Sequence, residues 1–135
     1  MHPSTRLAWF AIPLLCSLLS AQGFQFTSFA NTAGLSLVGS ASPSSNRIRL
    51  TDLLANQTGA MWHATPQPIS AGFDSTFSFR ISPPISGIAA AGMAFVIHDA
   101  PAGNMSLGGS AWGLGYGSGA SGTALPKSIA IEIDT

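Results

Sequence analysis

From residue 24 onward, apolar and polar positions alternate with a period of two, and no segment sustains a helical period. Phe24, Phe26 and Phe29 are spaced by polar residues, Leu35 and Leu37 flank Ser36, and Ile48 and Leu50 alternate with Arg47 and Arg49. Phe73, Ser75, Phe77, Phe79 and Ile81 line one predicted face, while Asp74, Thr76, Ser78 and Arg80 line the other. Residues 60–64 and 93–97 read as apolar strands, and residues 128–134 alternate without a break. Clusters of Gly, Pro, Asn and Ser at 42–46, 82–87, 100–104 and 115–122 separate these runs. Short strands with this punctuation predict an all-β sandwich.

Residues 103–122 break the pattern. They hold eight glycines, with Trp112 and Tyr116 among them. A flexible linker is one reading of such a composition. Linkers seldom carry two large aromatics, so an ordered surface loop is the expectation.

Residues 1–21 read as a signal peptide. His2 and Arg6 give a weakly basic start, residues 7–19 form an apolar run, and Ser20-Ala21 offers small residues for cleavage. The run falls short of the roughly 20 residues that a membrane span needs, so no membrane association is expected after cleavage. Cys16 is the chain's one cysteine. A mature chain from residue 22 would therefore contain no disulfide, leaving a metal as the obvious staple. Five basic and five acidic side chains cancel, and charged residues make up 7% of the chain. That balance gives no electrostatic footprint for nucleic acid.

The candidate chemistry sits on the last predicted strand. Side chains alternate across a strand, so Ile129, Ile131 and Ile133 share one face and Glu132 and Asp134 the other. The two carboxylates stand about 6–7 Å apart at their α-carbons. Like charges so placed call for a cation, a basic side chain, a shared proton or plain solvent. Calcium, which takes oxygen ligands, suits the pair. So does glycoside hydrolysis, with one carboxyl as acid and one as nucleophile.

Six segments in order carry a family resemblance. Residues 24–29 (FQFTSF) look like the opening F-x-F-x-x-F strand of legume-type (L-type) lectins. Residues 35–41 (LSLVGSA) resemble the family's L-x-L-x-G-x-A strand, and residues 73–81 its F-x-T-x-F-x-F strand. Residues 92–97 (GMAFVI) are similar to its G-[LMIF]-A-F strand. Residues 113–116 (GLGY) look like the bacterial version of its glycine-rich loop, and residues 128–135 resemble its S-x-A-x-E-F-D-T strand. Together they cover nearly all of residues 24–135.

The resemblance implies a concanavalin A-like jelly-roll β-sandwich whose N-terminal part is residues 22–135, with the C-terminal strands missing. It implies that Glu132 serves a transition metal such as Mn2+ and that Asp134 bridges it to Ca2+, the remaining ligands following the E-x-D strand. The metals would organise a loop that presents sugar-binding groups. Gly109 would offer a backbone N–H, and Trp112 and Tyr116 would give stacking faces. The partners implied are glycans or glycoconjugates, and oligomerisation is compatible with the family. One departure stands out. The family usually has A-D-G before its L-A-F strand, the Asp accepting bonds from sugar hydroxyls, and here the residues are Ala90-Ala91-Gly92. Ala91 offers no acceptor, which puts sugar binding of the usual kind in doubt.

Two other functions compete with a lectin. Glu132-Ile133-Asp134 also resembles the start of the E-[IL]-D-x-x-E motif of laminarinase-like glycoside hydrolases. A sandwich used for adhesion without sugar is the other. Elsewhere, His63 is expected to be an ordinary strand histidine, and His98-Asp99 lacks a nucleophile in a recognisable elbow. Arg47 and Arg49 read as a solvated face. Asn56 and Asn104 begin glycosylation sequons that matter only in a eukaryotic source.

Overall fold

The computed structural model describes residues 23–82 and 91–135. The signal-peptide reading of residues 1–21 and most of the turn cluster at 82–87 lie outside the described residues. Six strands follow in order: β1 (Leu35–Gly39), β2 (Ser42–Ser44), β3 (Arg47–Arg49), β4 (Gly59–His63), β5 (Gly92–His98) and β6 (Ser128–Asp134). Two short 3-10 turns, Gly103–Met105 and Ala111–Gly113, are the only helical pieces among the described residues. None of these is long and apolar enough to cross a membrane. The strands pair antiparallel as β1 with β4, β2 with β3 and β5 with β6. The architecture is all-β, as the alternation predicts.

β5 and β6 make the most regular pair. Residues directly opposite on antiparallel strands share a face. Met93, Phe95 and Ile97 therefore lie beside Ile133, Ile131 and Ile129 on an apolar face. Ala94 and His98 lie beside Glu132 and Ser128 on the other. The pair closes tightly at one end, where a Cβ on Gly92 would meet the Ile133 carbonyl oxygen at 2.1 Å.

Two expected strands do not form. Residues 24–29 and 73–81 carry no strand. Alternation decides which side chains share a face, but a strand also needs a ladder partner, and no described residue pairs with either segment. Their aromatics pack all the same. Phe73 and Phe77 stack on Phe95 with centroids 6.4 and 5.5 Å away. Phe24 lies 4.2 Å from the His63 ring. Asn46 anchors the earlier segment, its side-chain oxygen accepting from the Ser28 hydroxyl and, at 2.9 Å, from the Phe29 N–H. A second difference lies at residues 42–46. This cluster, read as a separator, is half strand: Ser42–Ser44 pairs with Arg47–Arg49 around a turn where Ser45 takes φ 57°. Pro43 is tolerated there because a two-stranded pair has free edges.

Burial is uneven. Ala100, Leu125, Ser106 and Ser110 are buried, all within or beside the glycine-rich loop. On the apolar face of the β5–β6 pair, Ile129 and Ile131 are 69% and 65% exposed. Exposed apolar surface of that kind binds hydrophobic dyes. Ile131→Thr keeps the β-branched shape and strand preference. It is expected to lower anilinonaphthalene sulfonate fluorescence while the far-UV circular dichroism stays unchanged. Undiminished dye binding would count against an open face at Ile131.

Candidate functional site

Glu132 and Asp134 project from the face of β6 opposite the isoleucines. Their cross-strand neighbours are Ala94 and Gly92. Such small partners on β5 cover neither carboxylate. Among the described residues the ion pairs are Arg49–Asp52 at 3.4 Å and Lys127–Asp99 at 3.1 Å. A basic partner for Glu132 or Asp134 is therefore not among them. Two exposed oxygen donors on one face suit a hard cation chemically. Their number is short of a full shell. Among the described residues, no group of three His, Cys, Asp or Glu stands together to hold a metal ion.

The loop from residue 103 to residue 122 is ordered and, at its centre, buried. Gly108 N–H donates to the Gly115 carbonyl at 2.7 Å, and Gly115 N–H to the Gly109 carbonyl at 2.9 Å. The Ser110 carbonyl accepts from Gly113 at 3.1 Å and Ala120 at 3.2 Å, while its hydroxyl lies 2.8 Å from that of Ser121. A Cβ on Gly119 would stand 1.8 Å from the Ser110 oxygen, so backbone lies on backbone. Gly109 is part of this packing. It is buried, and its N–H donates to the Gly117 carbonyl at 2.7 Å. The donor expected for a sugar is thus already engaged within the loop.

The two loop aromatics face different surroundings. Trp112, in the 3-10 turn, is 72% exposed. Tyr116 is held. Its hydroxyl donates to Oε1 of Glu132 across the gap between loop and strand. That bond, with some burial and the nearby negative charge, raises the Tyr116 pKa above the ordinary tyrosine value. The carboxylate strand and the glycine-rich loop are therefore in direct contact, which spacing along the chain does not reveal. The one sequence signal for it is a hydroxyl-bearing aromatic in a loop otherwise built from small residues.

Trp62 completes the packing beneath the loop. Its Nε1–H donates to the Ser106 carbonyl at 2.8 Å, and its ring meets His98 edge-on at 4.4 Å. His98 Nδ1 accepts from the Ala100 N–H at 3.1 Å. Desolvation lowers the His98 pKa, against the smaller opposing pull of Asp99. His63 Nδ1 lies 2.7 Å from the Thr65 carbonyl and 3.1 Å from Gln67 Nε2, as expected of a satisfied strand histidine. Arg47 and Arg49 are exposed, Arg49 beside Asp52. The two sequons differ. Asn56 is exposed, whereas Asn104 donates to the Ala64 carbonyl at 2.8 Å and Ser106 is 2% exposed. The Ser106 hydroxyl has no hydrogen-bond partner among the described residues.

Comparison with protein families defines the class. The family description "Legume lectin domain" matches residues 21–135. The chain belongs to that family, whose concanavalin A-like fold agrees with the all-strand architecture found here. At family level this means carbohydrate binding, generally without enzymatic activity and typically with metals. A comparison with curated proteins gives no match.

The environment of His98 makes a pH-dependent expectation. Folding favours the neutral ring, because its pKa is lower in the folded than in the unfolded chain. Its contribution to stability is complete above the unfolded value of about 6.5. It is lost as pH falls through the lower folded value. Proton NMR should show the His98 ring titrating below a model peptide, and His98→Gln should remove that part of the acid destabilisation. A midpoint at or above the model peptide would contradict it.

Proposed function

We propose that the chain is the N-terminal part of a secreted, metal-organised domain that binds glycans or glycoconjugates without catalysis. The observation that carries this reading is the Tyr116–Glu132 contact, which joins the glycine-rich loop, where Trp112 is exposed, to the carboxylate strand of a legume lectin domain. Glu132 would serve a transition metal such as Mn2+, and Asp134 would stand between it and Ca2+. The bound cations would hold the rim in shape. Trp112 would supply an apolar face for a sugar ring. Secretion rests on the apolar run of residues 7–19 and the small residues that follow it. The reading as an N-terminal part is supported by Ile129 and Ile131, which are exposed on a face that a sandwich turns inward.

Ala91 favours one other reading, adhesion without sugar. It occupies the place of the family's hydroxyl-binding Asp and takes φ 63°. Asp tolerates that left-handed region better than most side chains, so Ala91→Asp is compatible with the backbone.

Glycan-array binding of the complete domain, with Ca2+ and Mn2+, tests the proposal. Chelation is expected to abolish binding. Trp112→Ala is expected to weaken it about three- to tenfold, the value of an aromatic contact. Ala91→Asp is expected to strengthen it by roughly tenfold or more, the value of a charged hydrogen bond. Binding that survives chelation would count against metal organisation. Silence from both the wild type and Ala91→Asp would favour adhesion.

A further inference from the structure

We infer that Tyr116 is a positioning residue, which registers the glycine-rich loop on β6 and sets the orientation of the Glu132 carboxylate.

Tyr116 is fixed from three directions. Its N–H donates to the Gly113 carbonyl at 2.9 Å, and its own carbonyl accepts from the Leu125 N–H at 2.7 Å. A Cβ on Gly108 would stand 2.5 Å from the Tyr116 backbone, so the residue is wedged on the loop floor. The side chain then has one polar atom, and that atom donates to Glu132. A donor held this firmly restricts the rotation of the carboxylate it meets. It engages one oxygen, Oε1, and no described residue bonds the second. A hydrogen bond to an ionised acceptor is also stronger than a neutral one.

The same contact reaches Trp112. The Gly113 carbonyl, next in the chain, accepts from both Tyr116 and Gly117, the latter at 2.7 Å. The turn that exposes Trp112 is thus bonded to the residue that grips Glu132. Loop aromatic and strand carboxylate move as one unit. Phenylalanine at residue 116 would fill the same space and leave them uncoupled.

The test uses the full chain, with amide hydrogen exchange of residues 112–117 measured without metal. Tyr116→Phe and Glu132→Ala are each expected to speed that exchange about three- to tenfold, the loss of one hydrogen bond. The double variant should exchange no faster than either single one, because both remove the same bond. Glu132→Gln keeps an acceptor oxygen without the charge and should fall between the wild type and Glu132→Ala. Unchanged exchange, or additive effects in the double variant, would overturn the tether. Should Tyr116→Phe fail to fold, Glu132→Ala breaks the same contact from the strand side.

Discussion

Backbone pressed against backbone in the glycine-rich loop is the constraint on which the rest of the site depends. At Gly108, Gly109 and Gly119 an added Cβ would fall 1.8–2.5 Å from main-chain atoms of Tyr116, Gly119 and Ser110. Real side chains cannot enter such spaces, so the glycines are there for close approach. The contact brings carbonyls and amides within bonding range, and the network around Ser110 follows. A segment whose composition suggests looseness is for this reason the best-buried part of the described chain. Glycine costs more conformational entropy to order than other residues. Here the closed set of hydrogen bonds offsets that cost.

A stiff loop gives direction to the residues it carries. Trp112 stands out in solvent because the turn beneath it is bonded to Ser110, Tyr116 and Gly117. Glu132 and Asp134 are open for a complementary reason, since Ala94 and Gly92 opposite them have almost no side chain. Large residues at either position would cover the carboxylates. Exposed aromatic and exposed carboxylates thus result from small neighbours on two different elements.

Much of this was legible in the chain, and the limit was physical. Alternation assigned the faces of β6 correctly, and the match of Glu132 to Ala94 follows once β5 and β6 pair. It also placed Phe73 and Phe77 on one side, where both meet Phe95. Ladder formation at residues 73–81 was not legible, because pairing depends on a partner that periodicity does not name. Ser42–Ser44 was missed for the opposite reason: its Ser-Pro-Ser composition signals a turn, while its neighbour Arg47–Arg49 supplies a ladder. The engagement of the Gly109 N–H and the Tyr116–Glu132 bond are contacts across folded space. No spacing rule reports them. Family membership fixed the fold class, and geometry then distinguished the two aromatics that sequence treated alike.

Beyond residue 22 the sequence holds two tryptophans, Trp62 and Trp112. One has its indole N–H bonded to a carbonyl and its ring against His98. The other is open to solvent. Their emission should differ in wavelength and in access to a collisional quencher such as iodide. The molecule therefore carries two built-in optical reporters, one reading the packing beneath the loop and one reading whatever settles on top of it.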